Sequence, residues 1–312
     1  MKVLVTGGAG FIGSQVVRDL AARGHAVVAL DDLSSGHEDR VEGVAQLVML
    51  DILDPALEEV VARVAPDAVV HLAAQTSVQV SIKDPERDRR INVEGTRATA
   101  EAAKKAGAGI FIFASSAAVY GDPEVLPLVE TSPKSPANPY GRSKLDAEQV
   151  VAEVLEGSPV RHVSLRFSNV YGPGQDASGE GGVVAIFVSR TLGGQPVTVF
   201  GDGEQTRDFV FVEDVAGAVA VCVERFSEAA PGFAGAPVLN VSSGTETSVN
   251  EIAEAVARAC GVELRAEHLP PVEGDVRRSI LDPRAAAQVL RWRAETPLAT
   301  GIEKTVEWFR SR

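Results

Sequence analysis

The sequence predicts an α/β fold, a Rossmann-like doubly wound parallel sheet with a smaller C-terminal mixed α/β substrate-binding region. Three observations predict it. Short apolar runs alternate with helix-length amphipathic stretches through the first half, a glycine-rich turn follows the first run, and an aspartate closes the second. Near-continuous apolar strands separated by helices imply a parallel sheet covered on both faces.

In order along the chain, strands are expected over residues 2–6, 26–30, 46–50, 68–72, 110–114 and 160–166. Helices are expected over 11–23, 55–64, 88–106 and 140–156. After about Gly172 the pattern changes to helices over 183–192, 212–226, 248–260 and 283–290, separated by short strands and Gly/Pro-rich turns. Residues 1–172 are therefore expected to form the dinucleotide-binding domain, with interleaved segments contributed later in the chain, and residues 173–312 the substrate region.

Composition narrows the class. A chain of 312 residues with 45% apolar and 23% charged residues reads as a globular protein with a sizeable core. A formal net charge of −13 argues against a nucleic-acid surface, which needs clustered Lys and Arg. It leaves room for a nucleotide, which a few local donors and a helix terminus can hold. No run of 18 apolar residues points to a membrane span, and the N-terminal apolar run is too short for a signal sequence. A cytoplasmic protein is expected, with Cys222 and Cys260 as buried thiols rather than a disulfide. Histidines 25, 37, 71, 162 and 268 stand singly without ligand spacing, so no metal is expected, and His71 reads as packing.

The glycine-rich segment is Val3-Leu4-Val5-Thr6-Gly7-Gly8-Ala9-Gly10-Phe11-Ile12-Gly13. Gly8, Gly10 and Gly13 fit G-x-G-x-x-G, and Gly7, Gly10 and Gly13 fit G-x-x-G-x-x-G. Missing side chains let the backbone turn sharply and approach a pyrophosphate, while the helix N-terminus offers N–H groups and partial positive charge. Asp31, at the end of the second strand, can accept from adenosine ribose hydroxyls and would repel a 2′-phosphate, which favours NAD over NADP. Asp32 has a competing reading as a turn residue before Ser34-Ser35-Gly36. Asp51, before Ile52, falls where the adenine should lie, or else caps the helix near Pro55.

Of three tyrosines, only Tyr140 has a lysine four residues on, Lys144. That spacing puts both on one helix face. A phenol near pKa 10 serves as a base at neutral pH only if its phenolate is stabilised. A shift of about 3 units takes roughly 4 kcal/mol, similar to one ammonium about 4 Å away at an effective dielectric near 20. Ser115-Ser116 ends the preceding strand, and Pro139 opens the helix.

With these in place, a resemblance is plain. The runs 6–13, His71-Leu72-Ala73-Ala74, Asn92-Val93-Glu94-Gly95-Thr96, Ser115-Ser116-Ala117-Ala118-Val119-Tyr120-Gly121, 140–144, Arg166-Phe167-Ser168-Asn169-Val170-Tyr171-Gly172-Pro173 and 201–212 resemble the extended short-chain dehydrogenase/reductases. Among these the chain is most similar to the UDP-glucose (UDP-galactose) 4-epimerases, over nearly its whole length. The resemblance implies Tyr140 as base and acid on the sugar 4-hydroxyl, Lys144 on the nicotinamide ribose and Ser116 on the 4-oxygen. It implies an NAD site of Gly7, Gly10, Phe11, Ile12, Gly13, Asp31, Asp32, Ser35, Gly36, Asp51, Ile52, Leu72, Ala73, Ala74, Asn92, Ser115 and Ser168, completed by Tyr140 and Lys144. It implies a UDP-sugar site of Thr76, Ser116, Asn169, Gly182, Val183, Thr198, Phe200, Arg207, Asp275 and Ser279. For Arg207 a salt bridge to Asp208 competes, and for Asn169 turn chemistry competes.

Relatives that dehydrate sugar nucleotides carry acids after the serine, and many that decarboxylate them do too; here Ala117 and Ala118 stand there. Reversible oxidation at C4 is left. Relatives that epimerise UDP-glucuronate tend to place an arginine after the Y-G-P turn; here the stretch is Gly174-Gln175-Asp176. Ser279 aligns with a bulky tyrosine of epimerases restricted to non-acetylated sugars, which implies room for an N-acetyl group. Val272 stands where many relatives have a diphosphate arginine, with Arg277 or Arg278 as substitutes. A 4-ketoreductase and an inactive nucleotide-sensing regulator are the alternatives. A homodimer is expected from the resemblance, with the stripe Ile91-Val93 through Ala98-Ala102 and Val150, Val151 and Val154 as either its face or ordinary core.

Overall fold

The computed structural model describes residues 1–122, 124–177, 182–227, 238–272 and 276–312. Strand β1 (Lys2–Thr6) feeds helix α1 (Phe11–Ala22), and β2 (Ala26–Asp31) and β3 (Gln46–Met49) add in parallel on one side. Helix α2 (Leu57–Val64) crosses to β4 (Ala68–His71) on the other side of β1. Next come α3 (Val78–Lys83), α4 (Pro85–Arg89), a π turn at Arg90–Glu94 and α5 (Gly95–Lys105). Strand β5 (Ile110–Ser116), helix α6 (Pro139–Leu155) and strand β6 (Arg161–Phe167) extend the sheet beyond β4. The winding direction therefore reverses between β1 and β4, and in such sheets ligands bind in the crevice beyond the strand ends at that reversal.

The rest of the chain begins with β7 (Asn169–Tyr171), α7 (Val183–Leu192), β8 (Val197–Phe200), β9 (Thr206–Phe211) and α8 (Val212–Ser227). Strand β10 (Val238–Val241) then returns to the main sheet beside β6, giving seven strands in the order β10-β6-β5-β4-β1-β2-β3. Strand β11 (Glu246–Ser248), helix α9 (Val249–Cys260), strands β12 (Ala266–Leu269) and β13 (Arg278–Ser279), and helices α10 (Arg284–Val289) and α11 (Leu298–Arg310) complete the chain. A small sheet sets β9 between β11 and β13 with β7 also on β9, and β8 pairs with β12.

Apolar burial explains the layers. On one face of the main sheet, Val16, Val17 and Leu20 of α1 pack with Val215, Val219 and Cys222 of α8 and with Trp292. On the other face, Leu57 and Val61 of α2, Ala100 and Ala103 of α5 and Val151 of α6 form a second core. A third joins α7, α9 and α11 through Phe187, Ile252 and Ile302. Cys222 and Cys260 are free and buried. Among the described residues no helix is long and apolar enough to cross a membrane, and no cluster of metal-ligating side chains occurs.

Four sequence expectations change. The single helix over 88–106 begins earlier, because Asp84 accepts from the Arg87 N–H and Pro85 sets the first turn. It is then interrupted by the π turn that carries Asn92 and Val93 inward. Asp51 does not cap α2: its carboxylate accepts from the Leu53 N–H at 2.9 Å, and the helix starts after Ala56. The apolar stripe considered as a subunit face is core, with Val93, Ala102, Val150, Val151 and Val154 buried. Helix α11, with no counterpart in the sequence reading, buries Gly301, Ile302, Thr305 and Val306 on one side.

Candidate active site

The glycine turn closes where β1 meets β2, with the Gly7 N–H donating to the Leu30 carbonyl at 2.8 Å. Gly7 holds φ +67, and a Cβ there would stand 2.7 Å from the Ala73 nitrogen, so only glycine lets residues 72–74 pass this close. A Cβ on Gly13 would overlap the Gly7 carbonyl, whereas one on Gly10 would meet only that carbonyl, at 3.2 Å. The turn is thus packed on two sides and open at Gly10, in front of the first turn of α1. No side chain caps that helix and no acidic residue occupies its first turn, which leaves its N-terminal donors for an anion.

Asp31 is buried and accepts from the Ala9 N–H and the Leu33 N–H, each at 2.9 Å. Burial pushes its carboxyl up and these backbone donors pull it down. Gly36 passes directly over the carboxylate, where a Cβ would come within 2.7 Å of an oxygen. Asp31 therefore ties the glycine turn to the 33–36 loop, with lone pairs left for a hydroxyl. Asp32 is the turn residue of the competing reading: it accepts from the Ser34 N–H and hydroxyl at 2.9 and 2.6 Å. Ser35 and Asp51 are exposed. Ile52 is buried under Gly95, so its side chain belongs to the core.

Leu72, Ala73 and Ala74 leave β4 beside the glycine turn, with the Leu72 N–H on the Thr6 carbonyl at 3.1 Å. Thr76 is exposed. Asn92 is fully engaged inside the protein. Its oxygen accepts from the Gln75 N–H at 2.8 Å, and its amide donates to the Gln75 carbonyl, Asp88 and Ser143 at 2.9, 3.2 and 3.0 Å. It ties the 72–77 loop to α6 and leaves no donor for a ligand.

Helix α6 opens on Asn138, which accepts from the Gly141 N–H, with Pro139 in the first turn. A Cβ on Gly141 would overlap the Ala118 carbonyl, so this glycine lets the helix start press on residues 117–118. That approach sets Ser116, at the end of β5, near the start of α6 that carries Tyr140. Lys144, one turn on and buried, donates to the Ala114 carbonyl at 3.0 Å, with its ammonium 6.0 Å from the Tyr140 ring centre. Burial pushes the phenol above its ordinary value, the Ser116 bond pulls it down, and the Asp88 carboxylate adds to the rise. Burial also pulls the Lys144 ammonium down to about 8, opposed by the carboxylates of Asp88 and Glu148. Lys144 is not among the groups that lower the phenol, and its ammonium, over the ring at 6.0 Å, is bonded to the backbone.

On the substrate side, β9 gathers several candidates. Asn169 of β7, exposed on its strand, is in register with Phe209, and Ser279 of β13 is in register with Arg207. Arg207 donates to the Thr206 carbonyl at 2.7 Å. Asp208, leaving the opposite strand face, is buried and accepts from Ser168, Ser243, Gly244 and Leu281, which displaces the Arg207–Asp208 salt-bridge reading. Gly182 and Val183 start α7, and a Cβ on Gly182 would meet Gln175. Thr198 and the exposed Phe200 lie on β8. Arg277 and Arg278, the substitutes expected for an arginine at 272, pair with Asp202 and Glu246 at 2.7–3.0 Å. Asp275 lies outside the described residues.

A glycine cradle at the sheet's reversal point and a Ser-Tyr-Lys set beside it restrict the possible relatives sharply. Residues 3–236 match the NAD dependent epimerase/dehydratase family. The chain belongs to that family. A UDP-glucose 4-epimerase of Mycolicibacterium smegmatis is 43% identical, covering 100% of this chain and 99% of its own. The UDP-glucose 4-epimerase of Thermotoga maritima, solved with UDP-glucose, superposes with a TM-score of 0.91 at 38% identity, covering 100% of this chain and 99% of that one. That of Thermus thermophilus, solved with NAD, gives 0.91 at 39% identity and 99% of both chains.

The family's dinucleotide fits the residues present. The turn at Gly7–Gly13 is a cradle that a Cβ at Gly10 would project into, and Asp31 faces the loop where a ribose would lie. Besides Ile52 and Asn92, two further predicted cofactor residues turn elsewhere: Ser115 donates to Glu148 at 2.5 Å, and Ser168 donates to Asp208 at 3.2 Å. The sequence reading missed the groups behind the epimerase/dehydratase site. Arg166 and Glu148 form a buried bidentate pair at 2.6–2.8 Å, and Arg166 also donates to the Tyr120 hydroxyl at 2.9 Å. Asp88 is wholly buried. His71 bonds Thr6 and Thr96 at 2.6 and 3.0 Å and is held neutral, its pKa pulled to about 3 by burial and Lys144.

Proposed function

We propose that the protein is a UDP-hexose 4-epimerase that interconverts UDP-glucose and UDP-galactose, with NAD as its resident cofactor. The observation that carries this reading is the start of α6, with Tyr140 and Lys144 one turn apart, pressed through Gly141 onto residues 117–118 next to Ser116, with Ala117-Ala118 where a dehydratase would need an acid. NAD, when bound, would supply the hydride acceptor and, once reduced, the hydride donor for chemistry at sugar C4.

The protein's own part is to hold and move a proton. Tyr140 accepts the 4-hydroxyl proton and later returns it to the 4-oxygen, while Ser116 donates to that oxygen and fixes its distance from the phenol. Lys144 keeps positive charge beside both the phenolate and the nicotinamide ribose. Gly7, Gly10 and Gly13 bring backbone to the pyrophosphate, and Asp31 takes the adenosine ribose. Arg207, in register with Ser279, takes the UDP diphosphate in this reading. With no carboxylate following Ser116, nothing removes a C5 proton, and the sugar keeps its carbon skeleton and oxygen count. Helices α5 and α6 are the face on which a homodimer would form, and charged side chains such as Arg97, Lys104 and Glu153 stand on it.

Purified protein incubated with UDP-galactose should yield UDP-glucose to equilibrium with no added reductant. No interconversion, beside consumption of one NADH per sugar when a UDP-4-keto-hexose is supplied, would instead establish a 4-ketoreductase, and the epimerase reading would be abandoned.

A further inference from the structure

Helix α3 inverts the usual order of burial. The residue it buries completely is Ser81, while Val78 and Ile82 on the same short helix are 36% and 56% exposed. Helices ordinarily dock through an apolar stripe, and burying a hydroxyl costs free energy unless its hydrogen bonds are made. Here they are made. The Ser81 hydroxyl donates to the Val78 carbonyl at 2.7 Å and accepts from the main-chain N–H of Tyr140 at 3.1 Å.

The first turn of α6 shows what that second bond does. A helix start leaves its first N–H groups without partners inside the helix. Pro139 has no N–H, and Asn138 takes two of the others: its side chain accepts from the Gly141 N–H at 2.9 Å and its carbonyl from the Arg142 N–H at 3.1 Å. The Tyr140 N–H is left over, and Ser81 reaches it from a different helix, 59 residues earlier in the chain. The Tyr140 carbonyl is gripped as well. It accepts from the Ser143 hydroxyl at 3.0 Å, which itself accepts from the Asn92 amide at 3.0 Å. Ser81 is in turn held by its own helix. The Ser77 hydroxyl caps α3 by accepting from the Val80 N–H at 2.9 Å, and the Ser77 carbonyl accepts from the Ser81 N–H at 3.1 Å.

We infer that Ser81 is a positioning residue of the reaction, pinning the main chain of Tyr140 so that its phenol is held at the sugar 4-hydroxyl. Ser81 acts through the Tyr140 backbone and not on the substrate itself. Proton transfer needs a heavy-atom reach of about 2.6–3.2 Å, so a phenol displaced by about 1 Å loses turnover by up to about 10²-fold. The inference rests on reading Tyr140 as the base.

The test is a double-mutant cycle on NAD-loaded protein with UDP-galactose, combining Ser81→Ala with Tyr140→Phe. Ser81→Ala alone should lower kcat by about 10- to 100-fold and leave KM within about threefold, because the nucleotide's binding contacts are untouched. In the Tyr140→Phe background, read at high enzyme concentration over long incubation, the same substitution should lower the residual rate by less than about twofold, since no phenol is left to misplace. A hydroxyl that only supports the fold would lower both backgrounds alike, and equal losses would overturn the inference, as would a wild-type kcat in Ser81→Ala. Ser81→Cys keeps a weaker acceptor at the same place; it should recover part of the lost kcat, and it carries the cycle if Ser81→Ala does not fold. If neither variant folds, the hydroxyl serves the fold and the inference is overturned as well. A Tyr140→Phe protein with full turnover would sink the base reading itself, whereas a crippled Tyr140→Phe beside equal losses in the two backgrounds would sink only the role of Ser81.

Discussion

The Lys144 ammonium stands 6.0 Å from the centre of the Tyr140 ring and is bonded to the Ala114 carbonyl rather than to the phenol. Its charge is the more fragile for being buried, with the pKa drawn from 10.5 to about 8. Below about pH 8 it is a cation and above that a neutral amine. NAD affinity of the nucleotide-stripped protein, measured calorimetrically, should hold steady from pH 6.5 to about 7.5 and weaken as pH rises through 8. The linkage sign for stability is opposite. Between 8 and 10.5 the unfolded chain binds this proton and the fold does not, so Lys144's contribution rises with pH across that window and is a penalty below it. Affinity unchanged to pH 10 would mean that the charge on Lys144 does not contribute.

Tyr140→Phe removes a single oxygen and keeps the ring. Epimerisation should fall by about 10²–10⁴-fold, the range for losing a general acid–base. The melting temperature should change by no more than a degree or two. Loss of activity accompanied by a collapse in melting temperature would point to a packing role instead.

Two glycines of the same turn should separate binding from folding. Gly10→Ala adds a methyl that meets only the Gly7 carbonyl, at 3.2 Å, on the open side of the cradle. It should fold normally and lose about tenfold or more in NAD affinity, about 1.4 kcal/mol. Gly13→Ala drives a methyl into the Gly7 carbonyl itself and should cost about 1–3 kcal/mol of stability before any ligand is added. Equal melting temperatures for the two variants would contradict the packing described for Gly13.

The glycine turn and the Tyr140–Lys144 spacing were legible because each is local: a strand, a turn and a helix, or one turn of helix, places those groups whatever the rest of the chain does. Asp88, Glu148 and Arg166 were not legible for the converse reason. Asp88 and Glu148, at helical spacing, look like a solvated face, Arg166 is a lone charge in a strand, and only the docking of α4 and α6 buries them. The same limit applies to Asn92, whose place beside the cofactor segment could be inferred while its full engagement by Gln75, Asp88 and Ser143 could not. Strand β13, two residues long, carries no period to read, yet it is what sets Ser279 beside Arg207.

The Arg166–Glu148 pair spans β6 and α6 with side chains 3% and 7% exposed. Glu148→Gln leaves the guanidinium buried without its counter-charge, and stability should fall by about 3–5 kcal/mol in chemical denaturation. The double variant Arg166→Met with Glu148→Met should recover most of that loss, because it removes both desolvated charges together. The Tyr120 hydroxyl and Ser115 would each lose a partner in the double variant, so recovery should be incomplete. A double variant as unstable as Glu148→Gln would mean that the hydrogen bonds to Tyr120 and Ser115, not the charge pair, dominate.

Ser279 sits in register with Arg207 at the edge of the small sheet, half-buried and small. If Arg207 holds the diphosphate, the neighbouring position on β13 lies along the path from diphosphate to sugar, where side-chain volume limits what the sugar can carry. If the serine leaves space for an N-acetyl group, the wild type should turn over UDP-GalNAc as well as UDP-galactose. Ser279→Tyr should reduce kcat/KM for UDP-GalNAc by about 10²-fold or more while changing UDP-galactose by less than about tenfold, since a steric clash of this kind costs a few kcal/mol and acts on one substrate only. Parallel losses on both substrates would place Ser279 in the general support of the diphosphate site, and wild-type protein inert to UDP-GalNAc would show that the space is filled by something other than this side chain.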